Sequence, residues 1–281
     1  MSVFTAMLMG LLRGVTQFLP ISSSGHQAII QNIFGLEYPA KNGLFELLLN
    51  LSTLISIIMV YRREIAGMIR ESADYLKGRT SDDPMSEGRL TPSLRMIYFV
   101  IMGTLPLLLA IPINDRLDVL MGKTIFVGIA MIVMGAILFF TDKLVNAGRK
   151  NERTMKTRDA LLIGIAQALS AIPGLSRTGV TVSVGMSRGL AKDFTVRFAI
   201  FLSLPTTLIA IIISFFSSFR SAIDWSSFFA YLVGFVVSVF SGYMAILILR
   251  LVAAKRKLRN FAYYIWFLGI LTIVLSLTLG V

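Results

Sequence analysis

Apolar residues in this chain come in long blocks separated by short polar stretches. They do not alternate as in half-buried strands, nor do they form a narrow helical stripe. Six blocks, 45–61, 96–113, 124–141, 194–217, 226–250 and 261–280, scatter around the roughly 18–20 residues that carry a helix across a bilayer, and each predicts a membrane span. Two further apolar stretches, 3–36 and 159–190, are interrupted. Pro20, Ser22, Ser23, Ser24 and Gly25 break the first, and Pro173, Gly174, Ser176, Arg177, Thr178 and Gly179 break the second. Pro and Gly release backbone groups that lipid cannot satisfy, so each stretch predicts a re-entrant hairpin of two helical arms meeting at a break inside protein.

The two broken stretches resemble each other. Leu11, Leu12, Gly14 and Gln17 match Leu161, Leu162, Gly164 and Gln167 in an LLxGxxQ pattern. Downstream, Phe45, Leu49, Leu51 and Thr53 match Phe198, Leu202, Leu204 and Thr206, the offset drifting only from 150 to 153 residues. Two copies of a broken hairpin plus three spans therefore make up the expected chain. The first repeat covers 1–141, a basic linker 142–158, and the second repeat 159–281.

Basic residues give the expected orientation. The connections 62–95, 142–158 and 250–259 hold seven, six and five Lys/Arg, whereas the alternate connections hold only Lys41, Arg116, Lys123 and Arg220. The positive-inside rule places the basic connections in the cytoplasm. An odd number of spans per repeat then makes the copies inverted, with hairpin 3–36 entering from outside and hairpin 159–190 from the cytoplasm. The expected fold is an all-α polytopic membrane protein of two inverted-topology repeats, whose broken helices meet near the midplane.

Composition agrees. Of 281 residues, 56% are hydrophobic and only 15% charged, far from the balance of a soluble domain. The absence of cysteine excludes a disulfide scaffold, a thiol nucleophile and a Cys-ligated metal or iron–sulfur site. The net charge of +12 is mostly topological, so no nucleic-acid partner is expected. The start lacks a basic n-region and a cleavage site, and no signal peptide is predicted.

The chemistry concentrates at the two breaks. Ser22, Ser23, Ser24, Gly25 and His26 form a hydroxyl-rich helix start, suited to phosphate or carboxylate oxygens. Taken alone, the serines read first as a plain N-cap. The second break repeats the arrangement and adds Arg177, with Thr178 and Thr181 beside it. A guanidinium at membrane depth is costly and calls for a partner or a function, and its fork matches phosphate oxygens. Two such clusters converging from opposite faces describe an anion site, with a lipid phosphate as the natural ligand. His26, the only histidine, suits a general acid, a base or a nucleophile on phosphorus, or a satisfied buried ring. Glu46 is the one carboxylate near the first break. Arg188, Lys192 and Arg197 read as boundary charges, Arg197 being deep enough to be considered for the phosphate.

At these residues the sequence resembles the undecaprenyl-diphosphate phosphatase family, the bacitracin-resistance membrane phosphatases. That family's first signature, roughly EGxTEFLPxSSxGH, appears as RGVTQFLPISSSGH from Arg13 to His26. Its second, PGxSRSGxT, appears as PGLSRTGVT from Pro173 to Thr181. The resemblance implies hydrolysis of undecaprenyl diphosphate to the monophosphate, recycling the carrier lipid of peptidoglycan synthesis in the bacterial cytoplasmic membrane. It implies Ser23, His26 and Ser176 as catalytic candidates. Arg13, Gln17, Ser22, Ser24, Arg177, Thr178 and Thr181 then fall to the phosphates. It also implies Mg²⁺ or Ca²⁺, with Glu46 the only available carboxylate ligand near the break, and it leaves a homodimer open. Unrelated lipid phosphatases with an SGH element need a second histidine and are excluded.

The chain departs from the family at two positions. Arg13 and Gln17 stand where the first signature has glutamates. Gln17 still hydrogen-bonds but is no base, and Arg13 repels a divalent cation while attracting the phosphates themselves. The alternative that follows is a protein that binds or flips a polyprenyl phosphate or other anionic lipid without hydrolysing it.

Overall fold

The computed structural model describes residues 1–35, 43–78, 90–110, 119–144, 148–220, 225–255 and 257–280, and these are helical with short connections. Ten α-helices are found among the described residues, in chain order: α1 (Val3–Phe18), α2 (Ser23–Ala28), α3 (Gly43–Leu76), α4 (Pro92–Ala110), α5 (Thr124–Leu144), α6 (Thr157–Leu169), α7 (Arg177–Ser187), α8 (Lys192–Arg220), α9 (Phe228–Ala254) and α10 (Arg259–Leu279). Helix α2 runs on into a π-helical turn, Ile29–Ile33.

Among the described residues, five helices, α3, α5, α8, α9 and α10, are long and apolar enough to cross a membrane. Of the expected span 96–113, residues 96–110 fall on α4, a shorter apolar helix that carries Pro106, and 111–113 lie outside the described residues. The expected end of the first span, residue 61, marks a change of geometry rather than a terminus. Helix α3 continues to Leu76, but Tyr61 leaves helical geometry at φ −109°, ψ 21°. Lys41 and Arg116 lie outside the described residues, as do Arg79, Arg89 and Arg256 of the basic connections.

Both interrupted stretches are pairs of helical arms. Helix α1 stops before Pro20, which has no N–H to continue the ladder, and α2 restarts at Ser23. Helix α6 stops before Pro173, and α7 restarts at Arg177. The arms pack crosswise. Helix α1 lies along α9, α6 lies along α4, α3 meets α8, and α5 meets α10. Small residues permit this closeness. A Cβ built on Gly10 would stand 2.1 Å from the carbonyl oxygen of Gly234, and one on Gly164 would stand 2.1 Å from that of Gly103. In lipid, where apolar burial drives little association, such backbone-to-backbone packing supplies the cohesion. Hydroxyls add to it between α3 and α9: Ser52 and Ser238 share a 2.6 Å hydrogen bond, and Ser56 donates to the Val239 carbonyl at 2.9 Å.

The basic end is tied down by polar contacts. In the 142–158 linker, the Lys150 N–H donates to the Gly189 carbonyl at 3.0 Å, and the Ala191 N–H donates back to Lys150 at 2.8 Å. Asp159, 1% exposed, accepts from Lys150 at 2.9 Å and from Arg188 at 3.0 Å. Burial pushes its pKa up, but the hydrogen bonds from Lys150, the Lys156 N–H and Arg188 outweigh it and hold the carboxyl below its ordinary value. Arg197 faces Glu152 at 3.2 Å and Glu64 at 3.8 Å, so it is a boundary charge and does not reach the breaks.

A candidate anion site where the two helix breaks meet

The two breaks, about 150 residues apart in sequence, touch directly. The Gly174 N–H donates to Ser24 Oγ at 3.0 Å, and Thr178 Oγ1 donates to the Gln17 carbonyl at 3.3 Å. Gly174 sits at φ +99°, a conformation that L side chains rarely adopt, and a Cβ there would meet the Val127 carbonyl at 2.6 Å. Helix α5 backs both turns, since a Cβ on Gly25 would meet Met131 and one on Gly179 would meet Met134.

The hydroxyls divide by role. Ser22 and Ser176 cap their helices, accepting from the Gly25 N–H at 3.0 Å and the Gly179 N–H at 3.1 Å. Ser22 is held at φ +64°, a strained backbone for a non-glycine residue. Both caps are buried, which commits Ser176 to holding α7 and leaves its hydroxyl little freedom for attack. Ser24 bridges the breaks, and Thr181 donates to the Arg177 carbonyl at 2.8 Å. Ser23, half-buried at the start of α2, is the serine of the triplet whose hydroxyl has no hydrogen-bond partner among the described residues. His26 lies three residues on, along the same helix face.

The histidine is oriented from both sides. A carbonyl can only accept, so His26 Nδ1 carries a proton and donates it to the Ser22 carbonyl at 2.8 Å. Nε2 of the neutral ring then accepts from the Tyr264 hydroxyl at 2.8 Å, and the two rings stack 5.8 Å apart.

Among the described residues, charge at the site comes from arginine. Arg177 Nη1 donates to Thr206 Oγ1 at 3.0 Å, and that hydroxyl donates onward to the Ser203 carbonyl. Arg13 donates through Nη2 to Asn50 Oδ1, and Asn50 donates to Ser214 at 2.9 Å. The Arg13 Nε is buried with no partner among the described residues. The two guanidiniums lie close enough to repel each other. Both are held by neutral acceptors, so their charges remain available to a ligand, unlike those of Arg188 and Arg197.

A hard divalent cation takes six or more oxygen ligands, with carboxylates prominent among them. The donors here are two cations, neutral amides and hydroxyls, and the described residues contain no group of three or more His, Cys, Asp or Glu that could hold a metal. Glu46 lies one turn before Asn50 on α3 and makes no hydrogen bond or ion pair with the described residues. The set does not fit Mg²⁺ or Ca²⁺.

Sequence reasoning missed Asn50, Thr206, Ser214 and Tyr264. Asn50 had a signal, a lone amide in an apolar run, because a polar group at membrane depth demands a partner. Thr206 appeared only as a repeat match. Tyr264 had none, since its relation to His26 spans 238 residues.

Comparisons with known proteins give the family. The family model described as bacitracin resistance protein BacA matches residues 6–271. A protein of Carboxydothermus hydrogenoformans named undecaprenyl-diphosphatase is 32% identical, over 98% of this chain and 98% of its own length. A Methanosphaera stadtmanae protein of that name is 31% identical over 99% and 100%, and the undecaprenyl-diphosphatase 1 of Shouchella clausii is 31% identical over 100% and 99%. With the fold, both signatures and the full-length match in agreement, this chain belongs to the BacA family of multi-pass membrane proteins.

Proposed function

We propose that this chain is an undecaprenyl-diphosphate phosphatase of the bacterial plasma membrane that works without a divalent cation. The observation that carries the reading is the pair of uncompensated guanidiniums, Arg13 and Arg177, beside the point where the two breaks bond to each other. They take over the neutralisation of the diphosphate that a metal ion would otherwise supply. Ser23, the hydroxyl left free, attacks the terminal phosphorus. The bond to the bridging oxygen breaks, and polyprenyl monophosphate leaves. The serine proton passes to His26 Nε2 once Tyr264 releases it, and water then hydrolyses the phosphoserine to give inorganic phosphate. The prenyl tail lies among the lipid-facing helices. The crosswise packing, α1 on α9 as α6 on α4, supports inverted repeats, with the site at their junction.

The test is phosphate release from undecaprenyl diphosphate by the purified protein, in EDTA and with added Mg²⁺ or Ca²⁺. The expected result is turnover that persists in EDTA and falls at least a hundredfold in Ser23→Ala and His26→Ala. The replacement of both signature glutamates favours a second reading, a carrier that binds or flips a polyprenyl phosphate without cleaving it. No release under any condition, together with lipid-phosphate binding that requires Arg177, would establish that reading instead. Restoring the pair as Arg13→Glu with Gln17→Glu is expected to make phosphate release depend on added Mg²⁺ or Ca²⁺.

A further inference from the structure

A cavity of about 640 Å³, part apolar and part basic, opens at the basic end of the molecule between α3 and α9. Asn50 of the break site and Tyr61 of this cavity are 11 residues apart on α3, roughly 16 Å at a helical rise of 1.5 Å per residue. The two sites are therefore separate. Three arginines, Arg62, Arg63 and Arg250, and a single acid, Glu64, line the cavity. Glu64 is engaged by Arg197 at 3.8 Å. Arg250 reaches the exposed Asp193 only at 3.5 Å and rests over the Tyr61 ring, 5.6 Å from its centroid. Arg62 and Arg63 are exposed, and neither pairs with an acid among the described residues. Tyr61 is 2% exposed, and its hydroxyl has no partner there. A buried hydroxyl left unsatisfied is unfavourable, and a ligand oxygen would satisfy it.

We propose that this cavity binds the phosphate of an anionic phospholipid from the cytoplasmic leaflet. Arg62 and Arg63 supply the charge, and the Tyr61 hydroxyl donates to a phosphate oxygen. The source of the phosphate follows from position. By the charge rule the cavity stands at the cytoplasmic boundary, where basic pockets between transmembrane helices hold lipid headgroups. Its apolar wall includes Ile58 and Met59, which are 43% and 42% exposed and can lie along acyl chains. A free phosphate has no use for that wall.

The experiment is native mass spectrometry of the full-length protein released from nanodiscs of three parts phosphatidylethanolamine to one part phosphatidylglycerol. It is run in the Arg177→Ala background, so that lipid held at the breaks does not contribute. One retained phosphatidylglycerol per chain is expected, in preference to phosphatidylethanolamine. Retention should fall about tenfold in Arg62→Gln with Arg63→Gln, and about threefold in Tyr61→Phe. The two arginines are exposed, so the double variant should keep the parent's helical content, as circular dichroism would show. Millimolar inorganic phosphate should leave the lipid bound. Equal retention of the two lipids, retention unchanged in the double variant, or displacement by inorganic phosphate would each overturn the proposal.

Discussion

Arg177 and Tyr264 act through the shape of a few bonds. Arg177 spends one guanidinium nitrogen on Thr206, which fixes its plane while leaving the charge uncancelled. A lysine keeps the charge but loses the planar fork. Arg177→Lys is accordingly expected to weaken binding of undecaprenyl phosphate about tenfold, near 1.4 kcal/mol, and Arg177→Ala about a hundredfold, as read by isothermal titration in detergent. Tyr264 touches His26 twice, by a hydrogen bond and by stacking. Tyr264→Phe preserves the stacking and removes the bond. Because Nε2 must shed this bond before it takes the serine proton, the change should alter kcat with KM unchanged and displace the pH–rate profile. A profile that coincides with the parent's would reduce Tyr264 to packing.

At the scale of elements, the arms of the two hairpins are seated by glycine contacts. A methyl group on Gly10 would collide with the Gly234 backbone and one on Gly164 with the Gly103 backbone, at 2.1 Å in both cases. Backbone cannot swing aside as a side-chain end can, so α1 must move off α9, or α6 off α4. Gly10→Ala and Gly164→Ala are each expected to cost about 2–3 kcal/mol, visible as lowered melting temperatures in detergent. Gly67→Ala, where nothing stands within 4 Å, should be neutral or slightly stabilising because alanine is the better helix former.

For the whole molecule, one buried carboxylate ties the linker to the second hairpin. Asp159 joins Lys150 of the linker to Arg188 at the end of α7. Its pKa is depressed relative to the ordinary 3.8, so the unfolded chain binds the proton more readily than the folded one. Its contribution is therefore fully present above about pH 5 and is lost as pH falls through the lowered folded value. Asp159→Asn should remove about 2 kcal/mol at neutral pH, the usual worth of charged hydrogen bonds. It should also flatten the fall in melting temperature below pH 4.

Much of this protein is determined by local sequence. Block length sets the helices, Pro20 and Pro173 set the breaks, and Ser22 and Ser176 cap the helices that restart, because each effect acts within a few residues. The signature residues around those breaks were legible for the same reason. The span edges were less so. Helix α3 runs past residue 61 because its polar continuation is helical too, and hydropathy does not register helicity outside lipid. Tertiary structure alone decided which distant groups complete the site. Asn50 beneath Arg13, Thr206 beneath Arg177, and Tyr264 against His26 depend on how helices far apart in the chain cross, and Ser24 meets Gly174 for the same reason. Those crossings follow from close packing summed over whole helices, a property that no short stretch of sequence carries.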